Sequence, residues 1–165
     1  MSNNPASQSQ PEIWPFNISS EHPVRSITLA AKFENLDVAR NFAIQAAEES
    51  GFEPAAVYSI ELAIDEAFSN IIEHAYGGES EEKIDCACQF TKTDLIFYLR
   101  DCGNPFNPLI IPDPNIEADL EEREVGGLGF FFIKQLMDEV SFTFSTRPEN
   151  GKHCNVLKMV KHKEK

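Results

Sequence analysis

The sequence predicts an α+β two-layer sandwich. Three observations carry this. The strand-like runs come as hairpins, not singly between helices. The helical segments come as a consecutive pair and then a third. The resulting order, β-α-α-β-β-loop-α-β-β, lacks the repeated βαβ units of a parallel sheet. The 165 residues suit one domain with a core of its own, spanning 23–165 behind a short tail.

Residues 1–22 form the predicted flexible tail, with Pro5, Pro11 and Pro15 among Ser, Asn and Gln. Ile13, Trp14 and Phe16 are its apolar exception, suited to docking on the domain or on a partner. Val24 to Phe33 alternates in part and reads as a strand. Asn35 is placed to cap a helix from Leu36 to Ser50 that stops at Gly51. Pro54 suits the first turn of a second helix, which runs to about Tyr76 before Gly77-Gly78. In it Ile60, Ala63, Ile64, Ala67, Phe68, Ile71 and Ile72 recur at helical spacing and make one core-facing stripe.

Lys83 to Phe90 and Leu95 to Asp101 read as a hairpin across the turn Thr91–Asp94. A polar loop spans about 102 to 125. Unstructured loops of about 20 residues are uncommon in compact domains and commonly carry function, so this one has the place of a substrate lid. Gly126-Gly127-Leu128-Gly129 then opens a third helix, to about Asp138. Val140 to Thr146 and Lys152 to Val160 are the last two strands.

The formal net charge of −13 repels phosphate backbones, which argues against direct nucleic-acid binding. The acidity serves solubility or the attraction of a basic partner surface. It also repels free ATP, so a nucleotide site here must rely on Mg²⁺, backbone N–H groups and local geometry. No apolar run approaches the roughly 20 residues of a membrane helix. Met1 to Gln10 has neither the basic start nor the apolar stretch of a secretory signal, so the expected location is cytoplasmic, with no membrane partner. Cys86, Cys88, Cys102 and Cys154 form no CxxC pair and read as small buried apolar residues, with a zinc site or a disulfide as the alternatives.

Three motifs carry candidate chemistry. Glu66 and Asn70, four apart, share a helix face distinct from the apolar stripe. A carboxylate beside an amide can hold hydrated Mg²⁺ and orient or deprotonate a nucleophile; an ordinary solvated face can carry the same pair. Asp101 ends a strand, where a buried carboxylate can accept a hydrogen bond from the exocyclic amine of adenine. Gly103 allows close approach and Phe106 can wall a base pocket, although Gly, Asn and Pro here also make a plain turn. Gly126-Gly127-Leu128-Gly129 frees N–H groups at a helix start to face an anion. It is neither a P-loop nor a dinucleotide fingerprint.

Taken in order, Glu-x-x-x-Asn on a helix, Asp-x-Gly after a strand, and a Gly-rich helix start resemble the N, G1 and G2 boxes of the GHKL (Bergerat-fold) superfamily of ATPases and kinases. The match is closer to its RsbW/SpoIIAB-like branch, the anti-sigma-factor serine/threonine kinases. It rests on Glu61 to Tyr76, Asp101 to Pro108, Gly126 to Gly129 and Leu136 to Val140, and covers roughly residues 25 to 160.

The resemblance implies a mixed, mostly antiparallel sheet covered on one face by three helices. It implies ATP and Mg²⁺ as cofactors, Asn70 as the Mg²⁺ ligand, and Glu66 as general base. Asp101 is then the adenine reader beside Gly103, and Gly127, Leu128 and Gly129 lie at the phosphates. Arg123 is a phosphate contact on charge alone. The implied partners are an anti-anti-sigma factor with a STAS domain, a sigma factor that the kinase sequesters, and a second copy in a homodimer.

Two places depart from the family pattern. Phe130-Phe131-Phe132 is bulky and reads as a core-facing helix start. Gly151-Lys152-His153-Cys154 lacks the hydroxyl residues that commonly follow this glycine, which bears on turnover more than on binding. His74 reads as a packing residue or a catalytic acid. The rivals are a non-kinase ATPase of the superfamily, a histidine-kinase catalytic domain, and a binding module that holds ATP and a partner without phosphorylating it.

Overall fold

The computed structural model describes residues 23–105, 127–146 and 151–164. The predicted tail and nearly all of the predicted lid, with Phe106 and Arg123, lie outside the described residues.

The elements are strand β1 (Val24–Ala30), helices α1 (Leu36–Glu49) and α2 (Pro54–Asn70), and strands β2 (Lys83–Phe90) and β3 (Asp94–Asp101). Helix α3 (Gly127–Leu136) and strands β4 (Glu139–Thr146) and β5 (His153–His162) follow. The sheet order is β1-β2-β3-β5-β4. Every pairing among the described strands is antiparallel, so the expected mixed sheet has no parallel pair there. After β3 the chain forms α3, lays β4 at the sheet edge, and returns as β5 between β3 and β4.

Helix ends follow their punctuation. Pro54 occupies the first turn of α2, where a missing N–H costs nothing. Gly51 at φ 81° and Gly77 at φ 70° adopt the left-handed conformation that other residues resist.

Asn35 departs from expectation. It closes a short 3₁₀ turn, Phe33–Asn35, and makes no side-chain cap bond. Its own backbone is already helical, and its Nδ2 donates instead to the Ala30 carbonyl at 2.9 Å, tying the helix start to the end of β1.

The core lies between sheet and helices. Helix α1 contributes Ala39, Ala43, Ala46 and Ala47, whose small side chains let it lie close to α2. Helix α2 contributes Ile60, Ala63, Ile64, Ala67 and Phe68. Phe68, fully buried, represents about 3–5 kcal/mol against truncation to Ala. Of the three phenylalanines on α3, only Phe130 is buried, in step with Ile133 and Met137; Phe132 is 46% exposed. Successive residues fan about 100° around a helix, so three in a row cannot share one face.

The strand alternation positions the site. On β3 the buried residues are Leu95, Phe97, Leu99 and then Asp101. On β5 Met159, Leu157 and Asn155 share a face in the same way. The register pairs Asp101 with Asn155. Two polar groups therefore end two apolar rows at one end of the core.

One step beyond that pair, Cys102 and Cys154 are joined as a disulfide spanning 52 residues of sequence. This corrects the reading of all four cysteines as separate thiols. The antiparallel register sets these two opposite each other, which spacing along the chain does not reveal. Cys86 and Cys88 remain unpaired and buried, and burial pushes their thiols up to about 12 and about 11. They are inert small apolar residues.

Candidate functional site

Helix α2 turns its apolar stripe inward and leaves Glu66 and Asn70 half-buried beside it. After Asn70 the helix widens into a five-residue π turn, Ile71–Ala75, in which Tyr76 N–H reaches back to the Ile71 carbonyl at 3.1 Å. Such turns occur often at functional sites. This one delivers the Ala75 carbonyl to the exit of β3, where Asn104 N–H donates to it at 2.8 Å. The Tyr76 hydroxyl donates to the Lys83 carbonyl at 2.7 Å and accepts from Cys102 N–H at 2.9 Å. The segment 102–104 is thus held by backbone and phenol contacts. A Cβ on Gly103 would stand 2.4 Å from the Ala75 oxygen, so the close approach excludes a side chain there.

Asp101 is 4% exposed. Its Oδ1 accepts from Gly103 N–H at 3.0 Å and from Asn155 Nδ2 at 2.8 Å. Burial raises its carboxyl pKa above the ordinary carboxylate value, against the opposing pull of those two bonds. Asn155 Nδ2 also donates to the Asn104 carbonyl at 3.0 Å.

A small cavity opens on this pair. Ile71, Phe130, Ile133, Phe142 and Leu157 supply apolar wall. Asn70, Asp101 and Asn155 supply the polar groups. The structure therefore brings Asn70 and Asp101, 31 positions apart in the numbering, onto one cavity.

The start of α3 closes the other side. A Cβ on Gly129 would stand 2.6 Å from Glu66 Oε2, and 3.6 and 3.7 Å from the amide atoms of Asn70. The glycine lets the helix N-terminus, with its unpaired N–H groups and positive dipole end, lie directly against that pair. Burial, and then the like charges of Asp65 and Glu73, hold the Glu66 carboxyl pKa above its ordinary value. Gly127 is the first residue of α3. The side chain of Leu128 and all of Arg123 lie outside the described residues.

An apolar slot with a buried carboxylate, next to a helix N-terminus facing an amide and a carboxylate, can take a flat polar ring at one end and an anion at the other. Mg²⁺ fits the anion end. Such an ion, which retains most of its waters, would need only an oxygen such as that of Asn70 from the protein. Sequence reasoning passed over Asn155 and Tyr76. The signal for Asn155 was available: a lone polar residue in phase with the buried row Leu157 and Met159.

Comparison with known proteins places the chain among relatives. Residues 29–161 match the family model described as "Histidine kinase-like ATPase domain". The serine-protein kinase RsbW of Listeria innocua is 28% identical over 131 residues, covering 77% of this chain and 83% of its own. RsbW of Oceanobacillus iheyensis is 26% identical over 125 residues, covering 73% and 79%. The serine/threonine-protein kinase BtrW of Bordetella bronchiseptica is 24% identical over 85 residues, covering 52% and 60%. With residues 29–161 matched by the family model, the chain belongs to the histidine kinase-like ATPase domain family.

Proposed function

We propose that the protein is an ATP-dependent serine/threonine protein kinase that also acts as an anti-sigma factor. The observation that carries the kinase reading is the seating of Gly129 against Glu66 and Asn70, because it sets an anion-binding helix start beside a carboxylate of raised basicity. The relatives named as serine-protein kinases support it.

In this reading adenine enters the apolar slot and its amine meets Asp101, with Gly103 shaping the entrance. The triphosphate lies at the N-terminus of α3, along Gly127, Leu128 and Gly129, and Arg123 supplies a further positive contact. Asn70 holds Mg²⁺, which supplies neutralisation of phosphate charge. Glu66 accepts the proton of a serine or threonine hydroxyl as its oxygen forms a bond to the γ-phosphorus; the bond to the β–γ bridging oxygen breaks and ADP leaves. A carboxylate whose pKa lies above the usual range is the better base near neutral pH.

The partners we infer are a STAS-domain anti-anti-sigma factor as phosphate acceptor and a sigma factor as sequestered ligand, the kinase acting as a homodimer. These rest on the family resemblance. The test is incubation with γ-labelled ATP and the STAS protein encoded nearest to this chain's gene. Label on a serine or threonine of that protein, lost in Glu66→Ala while binding of the partner persists, supports the reading. Partner binding and MgATP binding with no label transferred would replace it with a module that binds without phosphorylating.

A further inference from the structure

Asn155 is 2% exposed, lines the cavity and stands opposite Asp101 in the sheet. Its amide can be oriented in one way only. Nδ2 lies 2.8 Å from Asp101 Oδ1 and 3.0 Å from the Asn104 carbonyl oxygen. A backbone carbonyl has no hydrogen to give, so the nitrogen must face these two oxygens. That leaves Oδ1, which is buried and has no hydrogen-bond partner among the described residues. Buried polar atoms are nearly always paired, and an orphan at a cavity wall calls for a donor from whatever fills the cavity.

Asp101 Oδ1 is already engaged by Gly103 and Asn155, whereas none of these bonds uses its Oδ2. Two neighbouring acceptors thus remain for a ligand, one from each strand. A single primary amine, with two N–H bonds about 120° apart, matches two such acceptors. A keto oxygen in the same position meets only acceptors and is repelled, which separates 6-aminopurine from 6-oxopurine.

We propose that Asn155 is a second base-reading residue, its Oδ1 accepting one N–H of the exocyclic amine whose other N–H goes to Asp101. The inference rests on the nucleotide site proposed above and deepens it. The pocket reads both hydrogens of the amine, and Asn155 sets specificity as well as holding Asp101 in place.

The test is a binding series with the Mg²⁺ complexes of ATP, N6-methyl-ATP and inosine triphosphate, on wild type and on Asn155→Ala. With both hydrogens read, N6-methyl-ATP binds the wild type about tenfold more weakly than ATP, since one buried acceptor is left unmet. Inosine triphosphate binds more weakly still. In Asn155→Ala the gap between ATP and N6-methyl-ATP closes to within about twofold, a change in selectivity that loosening of Asp101 alone would not give. If the variant fails to fold, the wild-type series decides by itself. ATP binding with N6-methyl-ATP equal to it overturns the role of Asn155 and leaves the ATP site standing. No binding of any of the three overturns both.

Discussion

Gly129 and Glu66 meet so closely that the helix start and the carboxylate share one space, with 2.6 Å between Oε2 and the position of an added Cβ. The obstructing atom is the end of a flexible side chain, so Gly129→Ala is absorbed by swinging Glu66 away. Thermal unfolding of that variant is expected to stay within about 1 kcal/mol of wild type. Phosphoryl transfer is expected to fall by about 10²-fold or more, because the base is displaced. Transfer at the wild-type rate would contradict the role of Glu66.

Gly103→Ala makes the opposite case. Its Cβ would stand 2.4 Å from the Ala75 oxygen and 2.7 Å from the carbonyl carbon, both backbone atoms of the π turn. Backbone cannot swing aside, so overpacking costs about 1–3 kcal/mol. Urea unfolding measures it, and a cost below about 0.5 kcal/mol would show that the turn is loose.

Asp101→Asn separates stability from recognition. Burial raises the folded pKa of Asp101 above the unfolded value, so its contribution to stability is present below that value and lost as pH rises through the folded one. Wild type is therefore expected to lose stability relative to Asp101→Asn as pH rises from the ordinary carboxylate value through the raised one, read in ligand-free urea titrations. The same variant keeps an oxygen for Gly103 and Asn155 but turns an NH₂ toward the cavity, so preference shifts from amino to keto bases. A difference in stability that grows in the other direction, or an equal loss for both bases, would count against this account.

The disulfide between Cys102 and Cys154 borders the Asp101–Asn155 pair and closes a loop of 52 residues. In the chain-entropy model a loop of that length is worth about 4 kcal/mol at most, and about 2–4 kcal/mol is the usual range. Unfolding with and without dithiothreitol reads this directly. Cys102→Ser with Cys154→Ser should match the reduced protein and ignore the reductant. Equal midpoints in all three conditions would mean that the bond adds nothing.

Much of the architecture was legible because it is local. Pro54, Gly51 and Gly77 bound the helices, period-two burial marks β3, and the stripe from Ile60 to Ile72 marks α2. The Glu66/Asn70 pair and the glycines of α3 were legible as motifs. What escaped depends on register between segments far apart. Cys102 meets Cys154, and Asp101 meets Asn155, only because β5 inserts between β3 and β4. The π turn escaped because its buried residues, Ile71, Ile72 and Ala75, keep a spacing that an α-helix also satisfies. Asn35 escaped as a non-cap because the 3₁₀ turn before it had already made its backbone helical.

Asn70 lies at the junction of these features, on the cavity and within reach of Gly129. Calorimetric titration of MgATP into wild type and Asn70→Ala, with circular dichroism on both, tests the convergence most directly. The account predicts saturable binding to wild type and none to the variant, with the two spectra superimposable. Equal MgATP affinity in the two proteins would contradict it.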